Sequence, residues 1–204
     1  MDDGLKNESE AGVVLNKGNA VSQSFSFKQS NAYGFDGNQF KLSGHFLETS
    51  SKGVTSAHNW DVGIRYERYL FSGVSGYLAQ NLESDTFAGF TQRYNTDVGA
   101  KYAFFKTEEF SWDAEGGYRF TSQNANDGTR ASIHFLRLYT EAMRSWSKNF
   151  STKFWLEFLP NLTDSKGYRL NTELSISSML TSIFSIKSAY GIRFNNTPVN
   201  GAAF

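Results

Sequence analysis

Strict alternation of aromatic and charged residues is the feature that most constrains the fold of this chain. In "FSWDAEGGYRF", residues 110–120, one set of alternate residues is almost wholly apolar, and the other carries Asp113, Glu115 and Arg119. A period of two belongs to β-strands, because successive side chains point to opposite faces. The two faces of this strand therefore meet different surroundings, and the sequence must show which face is the inner one.

The same alternation recurs along the chain, and helical periodicity is nearly absent. Strong examples are "WDVGIRYERYL", "YNTDVGAKYAF", "YRLNTELSI" and "FSIKSAYGIRF", and weaker segments bring the predicted number of strands to eleven. The chain has only 2 prolines in 204 residues, which suits long strands because proline cannot donate to a ladder. We expect an all-β, up-and-down antiparallel transmembrane barrel, formed as one domain over residues 1–204 and containing eleven of twelve strands.

Segments between the predicted strands alternate in length. The long segments are "ETSSKGVTSAHN", "ESDTFAGFTQR", "TSQNANDGTR" and "PNLTDSKG", and short ones such as "GFDGN", "FSG" and "KTEEF" separate them. Outer-membrane barrels have short periplasmic turns and longer outer loops. The alternation therefore predicts that the first strand runs outward from the periplasm.

Ionisable residues gather on one face of the predicted strands, with both signs nearly balanced. In a membrane barrel that face lines the lumen and the aromatic face meets lipid, whereas a soluble barrel places the aromatic residues inside. The strand pattern favours the membrane barrel. The predicted lumen-lining residues are Asp61, Arg65, Glu67, Asp97, Lys101, Asp113, Glu115, Arg119, Arg137, Glu141, Lys153, Glu157, Arg169, Glu173, Lys187 and Arg193.

Large aromatic residues cluster at the strand ends on the opposite face. Two aromatic rims resemble the girdles with which membrane barrels meet the two lipid–water interfaces. Phe90 and Tyr94 are placed in the outer rim by the same reasoning. The predicted membrane-interface aromatics are Trp60, Phe104, Phe110, Trp112, Phe120, Trp146, Phe150, Tyr168 and Phe194.

Composition excludes several classes of function. The 20 basic and 20 acidic residues cancel, so nothing indicates a nucleic-acid partner. The absence of cysteine excludes disulfides, thiolate catalysis and thiolate metal sites. A mean hydropathy of −0.46 is incompatible with a bundle of membrane helices. The opening "MDDGLKNESEAG" lacks the basic start and apolar run of a signal peptide. Either the protein is cytosolic or a signal peptide has been removed, and we expect the second, with the protein in the bacterial outer membrane.

Candidate catalytic and metal-binding groups are sparse. Ser132 and His134 share one side of a predicted strand, as a lipid-facing hydrolase pair would, but no orienting "HDSNG"-like segment accompanies them. His45, on a polar face, and His58, in a predicted loop, lack the spacing of metal ligands. Asp113 and Glu115 could form a glycosidase pair. Because basic residues lie in neighbouring rows, a neutralised lumen network is the favoured interpretation, and we expect no enzyme activity and no cofactor.

Glycine pairs in this sequence do not form phosphate-binding loops. "GVSG" and "EGGY" are followed neither by a lysine or hydroxyl at the required spacing nor by a helix. We expect Gly116 and Gly117 to relieve crowding beside large aromatic residues or to allow a bend.

Four segments resemble a known family. They are "GVVLNKGNAVSQSFSF", "GYLAQNLESDTFAGFTQRYNTDVGAKYAFF", "DAEGGYRF" and "YGIRFNNTPVNG", which follow the family order. The chain resembles the salt-induced outer-membrane proteins of Gram-negative bacteria, long catalogued as a domain of unknown function. The resemblance implies an outer-membrane location and about twelve strands, with no established activity or catalytic residue. Family members continue beyond "NNTPVNG" into a last strand.

The leading hypothesis is an outer-membrane barrel that acts as a narrow passive pore or as a structural wall protein. A lipid-modifying outer-membrane enzyme and a soluble, lipocalin-like carrier are the alternatives. By strict alternation the first and the eleventh strand both run outward, so they cannot close the barrel in antiparallel fashion. We therefore expect a twelfth strand, cut from this chain or supplied by another polypeptide, with outer-membrane lipid as the surrounding partner.

Overall fold

A computed structural model describes residues 3–16, 22–181 and 185–197 of the chain as a succession of β-strands. No helix in these ranges is long and apolar enough to cross a membrane. The strands are β1 (Gly4–Asn16), β2 (Ser22–Phe35), β3 (Asn38–Ser51), β4 (Val54–Phe71), β5 (Val74–Asp85), β6 (Phe90–Lys106), β7 (Phe110–Ala125), β8 (Arg130–Ser147), β9 (Phe150–Pro160), β10 (Tyr168–Met179) and β11 (Ser185–Asn195).

These eleven strands form one sheet in chain order, and each strand is antiparallel to its neighbours. The prediction of an eleven-stranded up-and-down sheet is confirmed. Among the described residues no ladder joins β1 to β11, so these two strands form the edges. Because the directions alternate along the series, β1 and β11 run the same way.

The sheet is strongly curled, as two ion pairs demonstrate. Arg65 of β4 contacts Glu115 of β7 at 2.8 Å, and Lys187 of β11 contacts Glu10 of β1 at 2.6 Å. In a flat sheet β1 and β11 would be about 48 Å apart, since neighbouring strands are about 4.8 Å apart. The curl therefore brings the two edges to face each other across a seam, and the side chains that meet lie on the concave face.

Turns at both rims are tighter than the sequence predicts. Asp36-Gly37, Lys52-Gly53 and Ser72-Gly73 each have positive φ at both residues, as two-residue type I′ hairpin turns require. Three of the segments predicted as long loops are also much shorter in the structure, so these predictions are wrong. "ETSSKGVTSAHN" is the end of β3, a two-residue turn and the start of β4, so His58 lies in a strand. The other two shrink to residues 86–89 and 126–129.

One of the predicted long loops remains. It spans residues 161–167 between β9 and β10, where the Asn161 side chain accepts hydrogen bonds from the backbone of Thr163 and Asp164. The predicted turns around residues 17–21 and 182–184, and most of the predicted outer loop after β11, lie outside the described residues.

Candidate functional site

Ion pairs on the concave face join five strands into one cluster, here called the inner network. Its four acidic and four basic groups cancel in charge. Glu67 is only 4 % exposed, and a charge removed from water in this way must be paired. The inner network consists of Arg65, Glu67, Asp97, Lys101, Glu115, Arg119, Arg137 and Glu157.

Arg137 of β8 is the hub of the inner network. Its guanidinium lies 2.5 Å from Glu115 and 2.7 Å from Glu157. A third carboxylate, that of Asp97, is 3.6 Å away. One arginine thus holds carboxylates from β6, β7 and β9, so its loss would leave three acidic groups poorly compensated.

The pair between Asp97 and Arg119 has the geometry that favours a strong ion pair. The two residues are directly opposite in the β6–β7 ladder, and Arg119 donates from Nε and Nη2 to the two carboxylate oxygens at 2.6 and 2.7 Å. Such a bidentate pair fixes the plane of the guanidinium. Arg119 also contacts Glu157 at 3.1 Å, and Glu157 accepts a further hydrogen bond from Asn171.

Arg65 and Lys101 complete the inner network on the side of β4. Arg65 donates to Glu115 at 2.8 Å and to Glu67 at 2.9 Å. Lys101 approaches the second oxygen of Glu67 at 3.2 Å. Each carboxylate here therefore holds two cations, so these side chains have few alternative arrangements.

Tyr77 of β5 lies at the centre of the inner network, above two glycines. A Cβ atom added to Gly99 or Gly117 would lie 2.7 Å from the Tyr77 hydroxyl oxygen, and the two glycines are directly opposite in the β6–β7 ladder. Arg137 donates to this hydroxyl at 3.0 Å, and the Arg65 guanidinium stacks on the ring at 4.0 Å. Gly117 relieves crowding, as predicted, but Gly116 faces open space.

The remaining predicted lumen-lining residues fall into two groups. Asp61 pairs with His45, Glu141 with Lys153, and Lys187 with Glu10. The other four have no ion-pair partner within the described part of the chain. These four are Asp113, Arg169, Glu173 and Arg193.

A cavity of about 730 Å³ lies between the inner network and the rim that carries turns 86–89 and 126–129. Asp97, Arg119 and Glu157 of the inner network line this cavity, as do Trp155 and Arg169. The concave face thus combines a cluster of paired charges with a cavity next to it.

The convex face is apolar, and most of the predicted interface aromatics lie on it. Trp146 is 57 % exposed, and Phe104, Trp112, Phe150, Tyr168 and Phe194 are exposed to a smaller degree. Trp60, Phe110 and Phe120 are half-buried. Ring contacts link these residues across strands, as between Phe104 and Trp112 with centroids 4.4 Å apart.

The prediction that Phe90 belongs to the outer aromatic rim is wrong, because Phe90 lies on the concave face. It is 2 % exposed, and the Arg93 guanidinium stacks on its ring at 3.5 Å. A register shift between Phe90 and Gln92 explains the error, since a bulge reverses the parity of the residues beyond it.

Other aromatic residues of the concave face were missed in the sequence. Trp155 shares the parity of Lys153 and Glu157, and Phe135 shares that of Arg137. Their parity was a usable signal, but the assumption that large aromatic rings face outward concealed it. Tyr77 had a weaker signal, because β5 carries few charges.

Histidines have no arrangement typical of a catalytic or metal site. The Nδ1 atom of His134 pairs with the Tyr118 hydroxyl, and its ring packs on Phe120. Within the described residues no hydrogen bond joins His134 to Ser132, and no group of three or more His, Asp or Glu residues could hold a metal ion. His58 contacts Glu48 at 3.3 Å on the strand surface.

A solved structure of similar shape is available for comparison. It is described as the NanC porin in a rhombohedral crystal form. It superposes with a TM-score of 0.56 at 10 % identity, over 90 % of this chain and 89 % of the porin chain. At this identity the similarity concerns the fold alone, and it agrees with the curled antiparallel sheet.

Sequence comparison places the chain in a family. No curated protein matches the sequence. The family described as "Protein of unknown function, DUF481" matches residues 9–203. This match covers nearly the whole chain and confirms the expected relation to a domain of unknown function. The chain therefore belongs to the DUF481 family.

Proposed function

We propose that this protein is an outer-membrane β-barrel that acts as a narrow passive pore and has no enzyme activity. One observation carries the proposal: buried, mutually neutral charges occupy the concave face while large apolar side chains cover the convex face. This is the arrangement of a barrel whose outside meets lipid and whose lumen meets water. The predicted lumen-lining and interface residues take these roles.

The inner network acts as the constriction of the pore. Its side chains reach across strands that are not neighbours, as Arg65 does to Glu115, and they fill much of the concave space at that level. Its neutrality argues against strong selection of ions at the constriction itself. A structural wall protein would have the same architecture but no continuous path for solutes through the lumen.

Conductance in planar bilayers tests the pore. Replacing Arg119 and Arg169 by alanine together removes two guanidinium groups from the lumen, so we expect a larger single-channel conductance. The matched control replaces Arg130 and Arg144, two exposed arginines of β8. No current from either well-folded variant would identify a wall protein. Equal currents from both variants and the parent would show that the lumen is not the path.

The membrane location has a separate test. A barrel with this convex face needs detergent or lipid to stay in solution, because a contiguous apolar surface of such size associates in water. A folded, monodisperse protein in plain buffer would contradict the membrane location and favour the soluble carrier. Retention of the protein in vesicles after a high-salt wash would support the membrane location.

We also propose that one further strand, from this or another polypeptide, fills the seam between β1 and β11. The two edges run the same way and share no ladder in the described ranges, so one strand between them can be antiparallel to both. In lipid, an unfilled seam would leave two rows of backbone groups unsatisfied.

Cysteine cross-linking measures the width of the seam, since the chain has no cysteine of its own. Ala11→Cys and Ser188→Cys place one thiol on each edge. A seam one strand wide separates the edges by about 10 Å, so a bismaleimide of that length should link the thiols and an oxidant should not. Efficient disulfide formation would contradict the inserted strand.

A further inference from the structure

Six basic and five acidic residues line the cavity above the inner network, so its lining has a small excess of positive charge. Each arginine of the inner network contacts at least two carboxylates. By contrast, no carboxylate within residues 3–16, 22–181 and 185–197 forms an ion pair with Arg169 or Arg193. Both side chains line the cavity.

Arg169 is held in place but presents free donors. Its guanidinium stacks on the ring of Phe135 at 4.7 Å, which fixes the orientation of the planar group. Among the described residues no side-chain nitrogen or oxygen is both buried and without a hydrogen-bond partner. The unpaired nitrogens of Arg169 are therefore open to the cavity.

Two further arginines surround the same space. Arg169 lies opposite Asn195 in the β10–β11 ladder, so Arg193 is its diagonal neighbour, with Cβ atoms about 7–8 Å apart. Arg93 of β6 lines another part of the wall, where its guanidinium pairs with Glu83 at 3.1 Å. Arg169 and Arg193 are thus two neighbouring cavity arginines without a carboxylate partner in the described chain.

The acidic residues that line the cavity form no ion pair with Arg169 or Arg193 within the described part of the chain. Glu83 holds Arg93 at 3.1 Å, and Asp61 contacts His45. Asp85 accepts a hydrogen bond from the backbone of Ala88 and keeps its negative charge. The other two acidic lining residues, Asp97 and Glu157, belong to the neutral inner network.

We propose that the cavity binds a small soluble oxyanion, a carboxylate or phosphate group, between Arg169 and Arg193. The fork of a guanidinium matches two oxygens of such a group, and the charge strengthens both hydrogen bonds. This inference rests on the proposed function in one respect, namely that water and solutes reach the cavity. It extends that function by naming an anionic solute class.

Isothermal titration with sulfate tests the site, because sulfate remains a dianion over the usable pH range. Sulfate replaces chloride at constant ionic strength, with the folded full chain in non-ionic micelles. We expect saturable binding to one site per chain, weakened by about tenfold or more in Arg169→Gln. Arg130→Gln, which removes the same charge from the exposed surface near that rim, should bind as the parent does.

Four other outcomes decide the matter. Non-saturable heats, or equal weakening in both variants, overturn the site and indicate only diffuse attraction. If Arg169→Gln does not fold, Arg193→Gln provides the same comparison, and unchanged affinity there overturns the site. Saturable sulfate binding by a chain that carries no current in bilayers leaves the site intact and overturns the pore.

Discussion

Tyr77 is a buried side chain of the concave face that is confined on several sides. Two glycines facing each other across a ladder leave room for its hydroxyl, while Arg65 and Arg137 hold the ring and the oxygen. A side chain on either glycine would meet backbone atoms as well as the tyrosine. Tyr77 therefore depends on two residues that contribute no side chain.

Substituting one of these glycines should have a clear cost. In Gly117→Ala the new Cβ would lie 2.6 Å from the Val98 carbonyl oxygen, so β6 or Tyr77 must shift. We expect a loss of about 1–3 kcal/mol in the free energy of unfolding, measured by urea titration of tryptophan fluorescence in vesicles. Gly116→Ala meets open space and is the control. Equal losses would contradict the proposed packing of Tyr77.

Among the charges of the inner network, we expect the loss of Arg137 to lower the free energy of unfolding most. Arg137→Gln leaves Glu115 and Glu157 without their closest cation, and breaking a buried pair costs about 3–5 kcal/mol. Arg144→Gln, on the exposed face of the same strand, should cost far less. The urea midpoints of the two variants decide the matter, and a loss in Arg137→Gln no larger than in Arg144→Gln would mean that water replaces the missing guanidinium.

Strands were predictable in number but not in length. Alternation identified all eleven because each has one polar and one apolar face. It failed at the tips of the β3–β4, β5–β6 and β7–β8 hairpins, where polar residues on both faces were interpreted as loops. Strand pairing continues there, as between Thr49 and Ala57, although the hydrophobic pattern that reveals a strand has ended.

The sequence predicted which face of the sheet carries the candidate site residues, but not which of them form ion pairs. Parity places Arg65 and Glu115 on the same face, yet they are separated by 50 residues and two intervening strands. Their contact depends on the curl of the sheet, which no local pattern specifies. The bulge beside Phe90, which places that side chain on the concave face, is likewise not specified by any local pattern.

The β7–β8 turn offers a test of local structure outside the barrel wall. The Asp127 carboxylate accepts hydrogen bonds from the Thr129 hydroxyl at 2.6 Å and from its backbone amide at 2.9 Å, and the hydroxyl bond in particular lowers the pKa of Asp127. Carbon-13 NMR titration should show this depressed pKa. Thr129→Val should raise it toward the ordinary value of about 3.9, whereas Thr129→Ser should retain the depression.

At the scale of the whole molecule, the cost of a charge on the convex face shows whether that face is in contact with lipid or with water. Val98 lies at the middle of β6 and is 52 % exposed, while Val54 lies at the tip of β4 and is 70 % exposed. In a bilayer, Val98→Arg should cost about 2–4 kcal/mol and Val54→Arg about 0–1. Unfolding of both variants in phospholipid vesicles measures the difference. Small, equal effects would indicate a face that meets water.

The ladders also determine the order in which the molecule can assemble. Every described ladder joins strands that are neighbours in the chain, so the sheet can grow one hairpin at a time. The Lys187–Glu10 contact instead joins residues 177 positions apart, so it can form only after the strands between them have paired and the sheet has curled. A partly exposed ion pair contributes about 1 kcal/mol or less. Closure of the seam therefore needs the backbone hydrogen bonds of the strand that fills it, and we expect it to be the last and slowest folding step.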